Sequence, residues 1–85
     1  MTAPNKNRPI RVIAYEIRSS WRPMYFAAIP YWEAMTRLDS INDIYGLDTG
    51  RDIVARFLGN ASTWRGPEAR MIKKELNDML KGGRK

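Results

Sequence analysis

Apolar residues recur along this chain mostly at helical rather than strand spacing. Ile10, Ile13, Ile17 and Trp21 fall on one line with Arg11, Glu16 and Arg18 off it, which predicts a first amphipathic helix of about three turns. Val12 and Ala14 also admit a weak strand there. Pro23 suits the first turn of a second helix running from Met24 to Leu38, because its missing N–H would be unpaired at that position anyway. Met24, Ala28, Tyr31, Met35 and Leu38 form one stripe of this helix, and Tyr25, Ile29 and Trp32 form another, so its first half is apolar around nearly its whole girth. Pro30 removes the bond to the Phe26 carbonyl, and the helix must therefore kink or restart with Pro30 as its first residue.

Ser40 followed by Asp43 resembles a capping box, and Ile41, Ile44 and Tyr45 give a short third helix its apolar edge before Gly46 closes it. Thr49 with Asp52 repeats the device and opens a helix whose inner line is Ile53, Phe57, Ala61 and Trp64, flanked by Val54 and Leu58. Gly59-Asn60 would end that helix early, whereas the period kept by Ala61 and Trp64 favours continuation to about Thr63. Gly66-Pro67 punctuates the chain, and Glu68 complements the dipole of a last helix. There Ala69, Ile72, Leu76, Met79 and Leu80 face inward, Arg70, Lys73, Lys74, Asn77, Asp78 and Lys81 face water, and Gly82-Gly83 is the stop. The expected architecture is all-α, a compact bundle of four to five short helices with one kinked or restarted at a proline. A disordered lead-in over residues 1–9, a single helical domain over 10–81 and a basic stub over 82–85 complete it. Trp-Arg followed by proline occurs at Trp21-Arg22-Pro23 and at Trp64-Arg65-Gly66-Pro67, and each tryptophan is expected to plug the end of a helix into the core.

With 85 residues the chain supports one core, burying about 60–65% of its unfolded surface, so a partner or twin subunit would add stability. It contains neither Cys nor His, which excludes disulfides, thiolate chemistry, the usual zinc sites, Ser-His triads and imidazole switching. No enzyme activity, cofactor or small-molecule substrate is expected. The longest apolar run, Met24 to Trp32, is too short to cross a bilayer, and Met1 to Asn7 is polar without the apolar stretch of a secretory signal, so no membrane contact and a cytoplasmic location are expected. The net charge of +6 sits at the ends: residues 1–12 sum to +3, residues 65–85 to +4 and the middle to −1. Such ends suit contact with nucleic acid, and equally a solubilising role.

Candidate chemistry is sparse. Asp39, Asp43, Asp48 and Asp52 lack the alternating spacing of a calcium loop and read as caps and solvated acids. Gly46 and Gly50 lack the pattern of a phosphate loop, nothing places Glu16 and Glu33 in a shared cleft, and the sequon at Asn60 carries no meaning without secretion. A helix-turn-helix is the nucleic-acid candidate, with Ser40 to Tyr45 as its first helix and Arg51 and Arg56 on its second, although Asp52 stands where an apolar packing residue belongs. Lys73 and Lys74 on the last helix offer a second basic face. Five of the nine aromatics, Trp21, Tyr25, Phe26, Tyr31 and Trp32, lie within twelve residues. A small bundle normally buries one side of a helix, so this surplus predicts a protein interface anchored by Tyr25, Phe26, Ile29 and Trp32. The competing reading makes this the central helix, wrapped by the others.

Pro30-Tyr31-Trp32-Glu33-Ala34-Met35, Tyr45-Gly46, Trp64-Arg65-Gly66, Ala69-Arg70 and Lys74-Glu75-Leu76 together resemble a group of small uncharacterised proteins encoded by actinobacteriophages, over about residues 10 to 80. The resemblance implies a phage origin and expression inside a bacterial host. It also implies a protein that binds a host protein or its own copy, or else acts as a small regulator on DNA. It carries over no catalytic or binding residue.

Overall fold

The structure, a computed structural model, describes residues 8–82. It is mostly helical, with helices α1 (Ile10–Ser20), α2 (Ile29–Met35), α3 (Gly50–Gly59) and α4 (Pro67–Gly82), and a two-stranded hairpin of β1 (Ile44–Tyr45) and β2 (Asp48–Thr49). Each helix packs on the next in sequence, and α4 closes back on α1. Of the lead-in expected over residues 1–9 and the stub expected over 82–85, residues 1–7 and 83–85 lie outside the described residues.

α1 follows its sequence pattern, burying Ile10, Ile13, Ala14 and Ile17. It has no side-chain cap; instead the amides of Ile10 and Arg11 donate to the carbonyls of Asp39 (3.1 Å) and Leu38 (2.8 Å). Arg11 adds an exposed ion pair to Asp39 at 2.7 Å. Just before the helix, Arg8 spans Glu16 and Glu75 with four hydrogen bonds of 2.8–3.2 Å, tying the start of the fold to α4. Those two carboxylates, Glu75 foremost, hold its guanidinium pKa above the ordinary arginine value.

The second helix does not start at Pro23. Residues 21–25 are irregular, a single 3-10 turn spans Phe26–Ala28, and α2 runs only from Ile29 to Met35. Of the two expected outcomes at Pro30 the chain takes the restart, with the proline in the first turn where its missing donor goes unnoticed. The apolar girth read from the sequence is divided in consequence, since Tyr25 and Phe26 belong to no α-helix. Turns carry the chain from Met35 to buried Leu38.

The third helix expected over Ser40–Tyr45 is absent, and a turn followed by a strand takes its place. The capping chemistry is present but local: Asp43 Oδ2 accepts from the amides of Asp39 (2.8 Å) and Ser40 (3.1 Å), and Ser40 Oγ accepts from Asn42 N (3.0 Å). Such side-chain bonds compete with helix formation, and a six-residue helix scarcely recovers the cost of its own nucleus. Ile44 and Tyr45 then pair antiparallel with Thr49 and Asp48. Gly46, expected as a helix stop, has φ +65° at the first turn position of the hairpin, a left-handed conformation that glycine adopts without strain.

α3 begins as predicted, with Thr49 Oγ1 accepting from Asp52 N at 3.1 Å. The amides of Gly50 and Arg51 donate to the carbonyls of Asp43 (2.7 Å) and Ile41 (2.8 Å). α3 ends at Gly59 rather than near Thr63, yet Ala61 and Trp64 are buried through successive turns. α4 buries Ala69, Ile72 and Leu76, with Met79 and Leu80 half-buried. Trp21 and Trp64 both reach the core and stack on one another, with centroids 5.5 Å apart and ring planes 10° from parallel. Phe57 meets both edge-on, and Trp64 Nε1 donates to Ser20 Oγ at 3.3 Å. No polar or charged residue is buried among those described.

A Cβ at Gly50 would lie 2.7 Å from the Ser40 carbonyl oxygen and 2.9 Å from the Ile41 Cα, both rigid backbone. Gly50→Ala is therefore expected to destabilise by about 1–3 kcal/mol, the ordinary range for overpacking. Gly59→Ala, where a Cβ meets nothing within 4 Å, is expected to be neutral or mildly stabilising. Urea unfolding of the two variants checks the contrast.

Candidate functional site

The aromatic run separates into three fates. Trp21 is core. Tyr31 and Trp32 lie half-buried against it. Tyr25 and Phe26 stand out into solvent, Phe26 being 76% exposed, with their rings edge-to-face at 5.1 Å. Ile29, one turn further on, is 38% exposed. These three side chains sit where the irregular strap over residues 21–25 gives way to the 3-10 turn and α2, which fixes their backbone without covering their outer side.

Trp32, expected beside them as an anchor, instead serves the frame. Its Nε1 donates to the Ala14 carbonyl of α1 at 2.8 Å, and the Arg18 guanidinium lies over its ring at 5.1 Å. The tryptophan thus joins α2 to α1.

The expected nucleic-acid residues are scattered and engaged. Arg51 Nη1 donates to the Leu80 carbonyl at 2.6 Å, serving one of the last-turn acceptors of α4. Arg56 approaches Asp48 at 3.8 Å, and Lys74 pairs with Asp78 at 3.0 Å one turn along α4. The helix-turn-helix expected over residues 40–56 lacks its first helix.

Lys73 belongs to a different feature that the sequence did not suggest. Its Nζ donates to the Trp64 carbonyl at 2.6 Å and sits 5.9 Å from the Trp64 ring centroid. Burial lowers the pKa of the ammonium below the usual lysine value, and the charge of Arg65 lowers it further. Lys73, Arg65 and Arg70 line a cleft of about 390 Å³ between the loop after α3 and the start of α4. Arg70 and Lys73 lie three residues apart on α4, but Arg65 is in the loop before it, so helical periodicity does not mark the three as a group. The hairpin likewise exposes Ile44 and Tyr45, expected on a helix edge, and fully exposes Leu47.

No group of three or more acidic, His or Cys side chains disposed to hold a metal is found among the described residues, and no described helix is long and apolar enough to cross a membrane. Glu16, considered as one half of a carboxylate pair with Glu33, is engaged by Arg8. No protein-family model matches the chain, and comparison with curated proteins and with solved structures found no match.

Trp32→Ala is expected to destabilise the fold by roughly 2–3 kcal/mol, less than the ~3–5 kcal/mol of a fully buried tryptophan. Phe26→Ala is expected to cost under about 0.5 kcal/mol, as for an exposed side chain outside any core. Equilibrium unfolding in urea separates these two roles directly.

Proposed function

We propose that the protein is a non-enzymatic binding protein that acts through protein–protein contact at the Tyr25, Phe26 and Ile29 patch. The observation that carries this reading is the exposed edge-to-face pair of Tyr25 and Phe26, with Ile29 beside it in sequence. Paired aromatic rings on a fixed backbone lose little side-chain freedom when covered, and they combine large apolar area with the Tyr25 hydroxyl as a polar handle. Trp32, three residues after Ile29, is held by its bond to α1 and is half-buried. The resemblance to actinobacteriophage proteins supports a partner in the host cytoplasm, or a second copy of the chain.

The alternative of a DNA-binding regulator reading bases through Arg51 and Arg56 has less support. Arg51 is tied to the end of α4, and the segment before it forms a turn and a strand.

The test places a photo-crosslinking side chain at position 26, with sedimentation velocity on the unmodified protein alongside. A defined one-to-one adduct, or a dimer in sedimentation, that is lost with Tyr25→Ala/Ile29→Ala while the circular dichroism spectrum is unchanged supports the reading. A purely monomeric protein whose crosslinking pattern is indifferent to those substitutions overturns it.

A further inference from the structure

We propose that the cleft between the loop after α3 and the first two turns of α4 is a phosphate site that seats the backbone phosphodiester of duplex DNA, with Arg65, Arg70 and Lys73 as its binding side chains. This goes beyond the protein-binding patch and uses a different part of the molecule. The cleft is an open one of about 390 Å³ and has three cations and Ser62 in its lining, with no acid among them. Of the other described cations, Arg8, Arg11, Arg56 and Lys74 each meet a carboxylate, whereas Arg22 and Arg37 do not. Among the described residues neither Arg65, Arg70 nor Lys73 has such a partner.

Lys73 is positioned before any ligand arrives, because its ammonium is anchored on the Trp64 carbonyl and against the indole. Its charge is disfavoured there by burial and by Arg65, and an anion placed between the two cations reverses that repulsion. Two arginines beside one lysine suit the tetrahedral oxygens of a phosphate, which accept forked guanidinium donors. Glu68 opposes an anion from the same turn of α4, but it lies outside the lining.

The choice of duplex backbone over single strands follows from Trp64. Its ring is only 2% exposed, so the cleft offers cations without the stacking platform on which unpaired bases are held. The +4 sum over residues 65–85 supplies the long-range attraction that brings a polyanion to this end of the protein.

Fluorescence anisotropy with a short labelled duplex, titrated across about 50–200 mM salt, tests the proposal. Arg65→Gln/Arg70→Gln, both exposed and expected to leave the fold intact, should weaken binding about tenfold or more and flatten the logarithmic salt slope by about 2. Arg22→Gln/Arg37→Gln removes the same charge from exposed residues outside the cleft and should change both far less. Equal losses in the two double variants would mean that net charge alone attracts DNA, which overturns the site. Absence of duplex binding overturns it as well, including the case in which millimolar inorganic phosphate shifts the Lys73 Nζ resonance while the duplex does not.

Discussion

The first amides of two helices, α1 and α3, are bonded to carbonyls of one short connection, and much of the fold is arranged around that constraint. Leu38 and Asp39 accept from the start of α1, while Ile41 and Asp43 accept from the start of α3. A helix leaves its first amides without partners of its own, and in a dry interior each unpaired donor costs about 1–3 kcal/mol. The connection over residues 38–43 therefore cannot be helical itself, since its carbonyls are needed elsewhere. It also lies close against the start of α3, which is why glycine suits position 50, where a Cβ would meet the Ser40 carbonyl oxygen and the Ile41 Cα at less than 3.0 Å.

The opposite ends of the same two helices are joined by rings rather than by hydrogen bonds. Trp21 follows α1, Trp64 follows α3, and their stack against Phe57 fastens both at the far side of the core. Backbone capping at one end and aromatic packing at the other leave two regions without a structural task. One is the outer side of the strap carrying Tyr25 and Phe26. The other is the cleft beyond Trp64, where Lys73 reaches back to the carbonyl of the same tryptophan whose ring completes the core.

Helices α1 and α4 were legible because one face of each is continuously buried, so that Ile10, Ile13 and Ile17, or Ala69, Ile72 and Leu76, repeat the period of the structure. The Thr49 cap was legible for a similar reason: its bond to Asp52 spans three residues and depends on nothing distant. Misreadings arose where a local signal answered a non-local need. Ser40 and Asp43 do bond neighbouring amides, but they tighten a turn whose carbonyls serve α1 and α3, and a backbone acceptor leaves no mark in residue type. Trp64 keeps the period of α3 while lying beyond its end, because turns can return a side chain to the same core layer. The aromatic surplus left an exposed interface and a wrapped central helix both open, and the inward bond of Trp32 left no mark because its acceptor is a carbonyl eighteen residues away. The cationic cleft escaped notice because Arg65, Arg70 and Lys73 converge only once α4 turns away from its preceding loop.

Arg8 and Glu75 meet across 67 residues, and α1 rests on α4. At about 5–20 residues per second, a ribosome needs roughly 3–13 s to deliver the second partner after the first. A single helix settles in under about a microsecond, so α1 waits through much of that interval for the helix that completes its cover, with only earlier elements such as α2 available to it. Folding of this domain is accordingly completed only after translation of its last helix, and until then part of the apolar stripe of α1 lacks its final cover.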